Sequence, residues 1–276
     1  MASTPNSEDW ANERGKKWLE HLDATEKMLA PVDEPLLAAL SLDGATRIAE
    51  VGCGGGQTTM AIADAMPDSA IVHGFDISPE LVAHARSVQS DSRMSFYCED
   101  AASFSPVGAQ YDRLSSRFGI MFFPDPEAAF RNLANNLMTG GRFAFAVWGQ
   151  PSANPWMMTL QAALREEVEV PSPEPDSPGP FRYAEVGPFM ELLERAGFSD
   201  VQASQWVDLL ELGGGLDAKA ATEFAMSALS ISDLVKDDAN AAARVRAKLL
   251  DRLGAHEQEG EVRLLGSVHI VSGVKL

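Results

Sequence analysis

The sequence predicts an α/β protein whose parallel sheet is covered by helices on both faces. Short runs of β-branched and apolar residues alternate with helical patterns between about residues 47 and 149, and this alternation is typical of parallel strands joined by helices. A glycine-rich segment at residues 52–56 lies where the first of these runs gives way to a helical pattern. Glycine at this junction favours the sharp strand-to-helix turn of a doubly wound fold.

Length and composition fit a packed protein of this class. The chain has 276 residues, of which 45% are hydrophobic, so one large domain, or one domain with a cap, can bury a sizeable core. Lys and Arg number 22 and Asp and Glu number 40, which gives a formal net charge of −18 at pH 7. This acidic balance repels phosphate backbones, and the sequence lacks clustered basic residues, so no nucleic acid is expected as a partner.

The sequence predicts no disulfide, metal centre or membrane segment. Cys53 and Cys98 are the only cysteines, and neither belongs to a Cys/His cluster with metal-ligand spacing. The N-terminal residues lack the basic start and apolar run of a signal peptide, and no stretch reaches the roughly 20 apolar residues that span a bilayer. We therefore expect a cytoplasmic protein without a membrane span.

Five strands and three helices are predicted in residues 46–150. The strands are expected at 47–53, 70–76, 94–100, 111–119 and 141–149, and the helices at 57–66, 79–90 and 126–138. The preceding residues, 1–45, are predicted to form an N-terminal helical cover. The pattern over residues 8–40 is helical, and Pro31 and Pro35 are expected to interrupt it.

Residues 151–276 are predicted to complete the sheet and to cover the site. Half of the residues in 171–180 are prolines, which excludes a helix or a central strand and predicts an irregular loop that borders the active site. A helix closed by Gly197 is expected at 184–196, and two further strands are expected at 201–212 and 262–276. Between these strands, a helical insertion at 217–256 is expected to cap the substrate.

The glycine-rich segment predicts a ligand-binding turn. Gly52, Gly54 and Gly56 let the backbone turn sharply and approach a ligand, because no Cβ is in the way. A dinucleotide fingerprint, GxGxxG, would need glycine at the position of Gln57. The spacing GxGxG therefore weakens the case for a pyrophosphate-binding, nicotinamide-dependent enzyme.

Carboxylates end the second and third predicted strands. Asp76 can accept hydrogen bonds from both hydroxyls of a ribose, and Asp100, followed by Ala101, can accept from the exocyclic amine of an adenine. A single such aspartate is more often a surface residue or a helix cap. Acids at successive strand ends beside a glycine turn indicate a nucleoside ligand.

At these residues the sequence resembles the class I S-adenosylmethionine-dependent methyltransferases. The matching segments are AEVGCGGG, FDIS, CEDA and YDRLSSRFGIMFFPDPEAAFRNLANNLMTGGRFAFAVW, and the last is similar to the small-molecule branch that includes the ubiquinone/menaquinone-biosynthesis type. The resemblance covers roughly residues 10–200. It implies a Rossmann-like, doubly wound, mostly parallel sheet of seven strands whose last strand is antiparallel.

The resemblance also implies S-adenosyl-L-methionine as cofactor, with S-adenosyl-L-homocysteine as product. Gly52 and Gly54 would line its amino-acid end, Ile77 would pack on the adenine, and Arg117 would border the methionine moiety. The N-terminal segment around Trp10 resembles one that covers the cofactor in relatives. The residues implied to bind the cofactor are Trp18, Glu50, Gly52, Cys53, Gly54, Gln57, Thr58, Asp76, Ile77, Asp100, Ala101 and Arg117.

Apolar side chains near the strand ends are predicted to form the acceptor pocket, because ligands of open α/β sheets bind there. Candidate substrate-binding residues are Phe122, Trp148, Trp156 and Met226; Met121, Phe123, Met157 and Met158 lie close to them in sequence. Methyl transfer from a sulfonium depends mainly on alignment and exclusion of water. No histidine is singled out as a general base, and the catalytic residues stay unknown at this point.

The predicted function is methyl transfer to a small apolar or aromatic molecule. Two alternatives stay open: a cofactor-binding enzyme of other chemistry, such as elimination, cyclisation or dehalogenation, and a catalytically silent partner subunit that binds the cofactor. Neither the acceptor nor the choice between monomer and homodimer follows from the sequence.

Overall fold

The computed structural model describes residues 9–170, 174, 176–229 and 231–276. Its centre is a mixed sheet in which seven of the described strands follow the order β3-β2-β1-β4-β5-β8-β6, and a short β7 pairs with β8. The strands are β1 (Arg47–Val51), β2 (Ile71–Asp76), β3 (Met94–Cys98), β4 (Tyr111–Arg117), β5 (Leu137–Trp148), β6 (Phe198–Glu211), β7 (Glu257–Gln258) and β8 (Glu261–Lys275).

Strand directions confirm the predicted fold. The pairs β1–β2, β2–β3, β1–β4 and β4–β5 are parallel, whereas β8 runs antiparallel to both β5 and β6. The strand order reverses between β1 and β4. In doubly wound sheets, such a reversal opens a crevice at the carboxyl ends of the two strands, where ligands bind.

Helices cover both faces of the sheet. They are α1 (Gly15–Glu20), α2 (Leu22–Leu29), α3 (Asp33–Leu40), α4 (Gln57–Asp64), α5 (Pro79–Val88), α6 (Pro126–Asn136), α7 (Pro155–Arg165), α8 (Val186–Arg195), α9 (Ala218–Ala228), α10 (Ile231–Leu234) and α11 (Ala239–Gly254). Several begin as elementary capping rules require. The Asp125 carboxylate, for example, accepts the Ala128 N–H at 3.0 Å, and proline is the first residue of α6.

The N-terminal cover corrects one prediction. Its helices are separated at His21 and at a 3₁₀ turn, Ala30–Val32, which contains Pro31. Pro35 does not interrupt the cover, because it lies in the first turn of α3. There its missing N–H costs no intrahelical hydrogen bond.

Strand ends also differ from the sequence pattern. β1 and β4 each stop two residues early because Gly52 (φ +69°) and Phe118 (φ +62°) leave the extended conformation. β6 begins three residues before the predicted start, across a bulge next to Asp200 (φ +52°). Polar residues at this bulge hide the strand from a period-two apolar pattern.

The core lies on both faces of the sheet. Aromatic side chains on the α6 and α8 face form its largest part, and Phe130, Phe143, Phe145 and Phe189 are fully buried there. A second apolar cluster includes Ile48, Ile62 and Val72 on the opposite face. These packed faces hold the strand ends, and the loops that follow them, in fixed positions.

Two features of the periphery bear on the site. Within the predicted proline-rich loop, residues 171–173 and 175 lie outside the described part of the chain, while the Gly179 N–H donates to the Met121 carbonyl at 3.1 Å. Among the described helices, none has the length and apolar composition required to cross a membrane.

Candidate functional site

A cavity of about 730 Å³ lies at the carboxyl ends of β1 to β5. Its volume is within the range of small-molecule and cofactor sites. The strand ends and their loops form one part of its wall, and the N-terminal segment around Trp10 and the helices α2, α7, α9 and α10 contribute further residues. The reversal of strand order thus opens the crevice that the fold predicts.

The loop after β1 needs glycine for two reasons. Gly52, Gly54 and Gly56 have φ values of +69°, +54° and +90°, which L-residues with a Cβ rarely adopt. A Cβ on Gly52 would also lie 2.6 Å from the Gly119 Cα in the loop after β4. Gly52 therefore lets the β1 and β4 loops meet, and their backbones form the bottom of the cavity.

Asp76, at the end of β2, joins this loop to the next one. Its carboxylate accepts the Gly54 N–H at 2.8 Å and the Ser78 N–H at 2.9 Å. Burial raises the pKa of Asp76, while the backbone hydrogen bonds oppose this shift. Since each carboxylate oxygen can accept more than one hydrogen bond, acceptor capacity remains for a ligand hydroxyl in the cavity.

The loop after β3 adds two carboxylates to the cavity wall. Asp100 accepts the Ala102 N–H at 2.9 Å, and Glu99 donates its backbone N–H to the Asp76 carbonyl at 3.0 Å. Both side chains line the cavity together with Ala101. Three successive strand ends thus bring acids to one wall, as expected for parallel strands.

Arg117, at the end of β4, is the centre of a buried ionic cluster. Its guanidinium donates to the Glu26 carboxylate and lies 3.2 Å from Asp33, and its side chain is only 6% exposed. The Thr58 hydroxyl donates to Asp33 at 2.8 Å. Burial raises the pKa of Asp33, although Arg117 acts in the opposite direction. Glu26 and Asp33 belong to the N-terminal cover, so the cluster ties that cover to the site.

Glu50, in β1, is a second buried carboxyl group at the cavity. It is 1% exposed and accepts a hydrogen bond from the Thr59 hydroxyl. Burial raises the pKa of Glu50 to about 8. The folded protein therefore holds this group in its neutral form near pH 7, which limits the negative charge beside Glu26 and Asp33.

This raised pKa predicts that Glu50→Gln flattens the dependence of stability on pH. The carboxyl group ionises near its ordinary pKa of 4.5 in the unfolded chain and near 8 in the folded one. Its stabilising contribution is therefore full below about pH 4.5 and is lost as the pH rises towards about 8, at up to roughly 1.4 kcal/mol per pH unit. Glutamine keeps the acceptor for Thr59 without this titration.

Urea unfolding of both proteins across this pH range measures the effect. The free energy of unfolding of Glu50→Gln should decline less steeply with pH than that of the wild type. Glu169→Gln, at an exposed glutamate outside the cavity, is the control and should leave the slope unchanged. Parallel slopes for wild type and Glu50→Gln would contradict the assignment of a neutral Glu50.

Aromatic rings line another part of the cavity wall. Phe118 stacks on Trp148 with centroids 4.3 Å apart and an interplanar angle of 11°, and Trp148 contacts Trp156 at 5.1 Å. Trp10 of the N-terminal segment packs on Phe122 at 5.2 Å. The positive φ of Phe118 is a strained conformation for a bulky residue, and such strain is concentrated at functional sites.

The structure brings most predicted site residues to the cavity. Those on its wall are Trp18, Glu50, Gly52, Cys53, Gly54, Thr58, Asp76, Ile77, Asp100, Ala101, Arg117, Phe122, Trp148 and Trp156. Gln57 and Met226 are not on it. Gln57 is exposed at the start of α4, and Met226 is buried on α9, about 200° around the helix from the cavity residue Phe224.

Histidine does not contribute to the described cavity wall. His73 contacts the Tyr111 hydroxyl at 2.9 Å, and burial lowers its pKa to about 4. His269 lies 3.2 Å from the Ala184 carbonyl, and His21 lies 2.6 Å from the Ser227 hydroxyl. His84 and His256 are also off the wall. The chain thus uses its histidines elsewhere.

Comparison with known proteins points to a methyltransferase domain. Residues 48–141 match the family described as a methyltransferase domain. Malonyl-[acyl-carrier protein] O-methyltransferase of Acetivibrio thermocellus is 28% identical over 149 residues, which are 53% of this chain and 52% of the relative. The match and this relative support a class I S-adenosylmethionine-dependent methyltransferase domain in this part of the chain. The chain spans about half the length of the curated relatives it matches first.

Further similarities concern a second named methyltransferase and the fold. Aklanonic acid methyltransferase from a Streptomyces species is 28% identical over 102 residues, covering 36% of this chain and 46% of the relative. The YcgJ protein of Bacillus subtilis superimposes with a TM-score of 0.56 at 15% identity, covering 90% of this chain and 97% of that protein. The ubiquinone-type branch stays a prediction.

The site fits the cofactor of this family, S-adenosylmethionine. Asp76 keeps free acceptor capacity inside the cavity, and the glycine loop has no Cβ on the side of the ligand. The strand-end wall is rich in carboxyl groups, which suits a ligand with an ammonium and a sulfonium. The strand ends therefore provide both the shape and the charge that this cofactor requires.

Proposed function

We propose that this protein transfers the methyl group of S-adenosylmethionine to a small, apolar molecule. One observation carries the proposal: the carboxyl-rich strand ends and the aromatic wall bound the same cavity. A cofactor at the strand ends and an acceptor at the aromatic wall would share one volume without a barrier between them. Such an arrangement is what an in-line displacement between two bound molecules needs.

The cofactor would lie along the strand ends. Asp76 would accept hydrogen bonds from the ribose hydroxyls, Asp100 and Ala101 would contact the adenine edge, and the Gly52–Gly54 backbone would approach the methionine end. The position of each of these residues on the cavity wall supports the assignment. When bound, the cofactor supplies a methyl group that its sulfonium charge already activates.

The N-terminal segment would keep water from this cavity. Lys17 forms an ion pair with Asp233 of α10, and His21 contacts Ser227 of α9. Trp10 and Trp18 lie edge to face with centroids 5.4 Å apart, and both line the cavity. Exclusion of water strengthens every electrostatic interaction inside and prevents hydrolysis of the cofactor.

Two relatives are named for their acceptors, malonyl-acyl-carrier protein and aklanonic acid. These names support an acyl or organic-acid type of acceptor for this protein over a nucleic acid. The aromatic and methionine-rich wall supports an apolar body for the acceptor, since pockets for such molecules are predominantly apolar.

Product analysis tests the proposed function. The protein is incubated with methyl-labelled S-adenosylmethionine and a library of small apolar acids, alcohols and amines, and the products are measured by mass spectrometry. We expect a labelled acceptor and S-adenosylhomocysteine in equal amounts. An acceptor converted without S-adenosylhomocysteine would indicate elimination or cyclisation instead, and cofactor binding without any turnover would indicate a silent partner subunit.

A further inference from the structure

Charged residues are segregated along the wall of the cavity. The carboxyl groups on the described wall all belong to α2 or to the ends of β1, β2 and β3; they are Glu26, Glu50, Asp76, Glu99 and Asp100. The charged residues that the N-terminal segment and α7 contribute to the wall are instead all cations. They are Arg14, Lys17 and Arg165. The part of the cavity away from the strand ends is therefore apolar with a positive border.

Neighbouring carboxylates act on these three cations to different extents. Lys17 is in an ion pair with Asp233. Arg14 lies over the ring of Trp10, with its guanidinium carbon 6.0 Å from the ring centroid, and the negative charges of Asp9 and Asp233 also act on it. Arg165, the last residue of α7, forms no ion pair with another described residue. In a protein with a net charge of −18, arginines on the wall of a cavity favour the binding of an anion there.

The aromatic part of the wall offers no general base. Among the described wall residues there is neither a histidine nor a tyrosine. Burial raises the pKa of the Cys53 thiol well above its ordinary value, and the polar side chains that α7 contributes are Gln161 and Arg165. The carboxyl groups at the strand ends lie on the part of the wall that the cofactor would cover.

An acceptor that has already lost its proton needs no such base. Hydroxyls and carbon acids carry a proton on the reacting atom at neutral pH, and its removal usually requires a positioned base; amines must also lose a proton during or after the transfer. Carboxylic acids have pKa values below about 5, so they are already ionised at neutral pH. Of the common methyl acceptors, a carboxylate therefore suits both the missing base and the arginines on the wall.

We propose that the acceptor is the carboxylate of an apolar or aromatic acid and that the product is its methyl ester. This proposal rests on the proposed methyl transfer. A lone pair of the carboxylate oxygen forms the bond to the methyl carbon while the carbon–sulfur bond breaks, and its electron pair goes to sulfur. One negative and one positive charge cancel, and no proton is released.

Arg14 and Arg165 are the residues that we assign to recognition of this carboxylate. A guanidinium can donate two parallel hydrogen bonds to a carboxylate. Arg14 is half-buried, which strengthens such a contact relative to water, whereas Arg165 is exposed at the mouth of the cavity. The aromatic rings of Phe118 and Trp148 then suit the body of the acid, because stacked rings present a flat apolar surface.

Matched probes test the chemical class of the acceptor. The full chain is incubated with methyl-labelled S-adenosylmethionine and, separately, with 2-naphthoic acid, 2-naphthol and 2-naphthylamine, which share one ring system. Because esters are cleaved by alkali whereas aryl ethers and amines are not, label released as methanol after alkali treatment reports ester formation. We expect alkali-labile product from the acid and little product from the other two probes.

Binding measurements test the role of the arginines. In the presence of S-adenosylhomocysteine, calorimetry should show that 2-naphthoate binds at least about tenfold more tightly than 2-naphthol, as expected for one hydrogen bond to a charged group. Arg14→Gln and Arg165→Gln should each weaken naphthoate binding and leave naphthol binding unchanged. The control Arg195→Gln removes an exposed arginine of α8 outside the cavity and should change neither.

Three results would overturn the inference. They are naphthoate binding no tighter than naphthol, insensitivity of naphthoate binding to both arginine substitutions, and faster methylation of the alcohol or the amine than of the acid. The last result would leave the proposed methyl transfer intact. Failure to bind S-adenosylhomocysteine at all would instead contradict the proposed function itself.

Discussion

Replacing Arg117 with methionine should lower the free energy of unfolding by about 3–5 kcal/mol, the usual cost of breaking a buried ion pair. The substitution leaves the Glu26 and Asp33 carboxylates without their cation in a site where both are largely buried. Methionine fills a similar volume but donates no hydrogen bond. The N-terminal cover should therefore loosen from the sheet, and cofactor affinity should fall with it.

Urea unfolding at neutral pH measures this effect, and Arg131→Met is the matched control. Arg131 forms an exposed i,i+4 ion pair with Glu127 on α6, and exposed pairs of this kind contribute only about 0.3–0.5 kcal/mol. Arg117→Lys retains the charge and should lose less stability than Arg117→Met. A loss for Arg117→Met no larger than that for Arg131→Met would show that the cluster does not hold the cover.

Replacing Asp76 with alanine should weaken S-adenosylmethionine binding by about 3 kcal/mol, which is more than a hundredfold in the dissociation constant. The carboxylate would lose its hydrogen bonds to the ribose, and the Gly54 and Ser78 N–H groups would lose their acceptor. The loop after β1 would then be less well ordered for the ligand. Isothermal calorimetry measures the change directly.

Two further variants separate binding from folding. Asp76→Asn keeps the shape of the side chain and one acceptor oxygen, so its affinity should lie between those of the wild type and Asp76→Ala. Asp251→Ala makes the same exchange on the exposed side of α11 and should bind as the wild type does. An Asp76→Ala protein that folds and keeps full affinity would refute the role of this carboxylate.

The strand-end part of the site could be predicted from the sequence because it depends on local signals. Parallel strands bring their carboxyl ends to one edge, so acids that follow successive strands meet without any knowledge of distant contacts. Asp76 and Asp100 illustrate this rule, and both are on the cavity wall. The spacing of Gly52 and Gly54 likewise marks a turn whose positive φ values glycine adopts without strain.

The rest of the site depends on contacts between distant parts of the chain. Glu26 and Arg117 are 91 residues apart, and no local pattern links a helix of the N-terminal cover to the end of β4. The sequence pattern predicts Phe118 inside a strand, whereas its φ is +62° and it lies beside the close approach of Gly52 and Gly119. Its stacking on Trp148 could therefore not be predicted from periodicity.

The helical insertion shows a third limit. The helices α9, α10 and α11 lie within the predicted insertion, 217–256, but the apolar surface of α9 is broad: Phe224 faces the cavity whereas Met226 faces the core. Such a broad apolar surface gives no signal for which part of it meets a ligand. The sequence therefore supports a cap without identifying the residues that contact the acceptor.

Parallel calorimetric titrations of the purified chain with S-adenosylmethionine, S-adenosylhomocysteine and NAD test the central claim most directly. Mass spectrometry of the protein first establishes that no ligand was carried over from purification. The account predicts micromolar, one-to-one binding of the two sulfur compounds and no response to NAD. Binding of NAD, or a well-folded protein that binds neither sulfur compound, would contradict it.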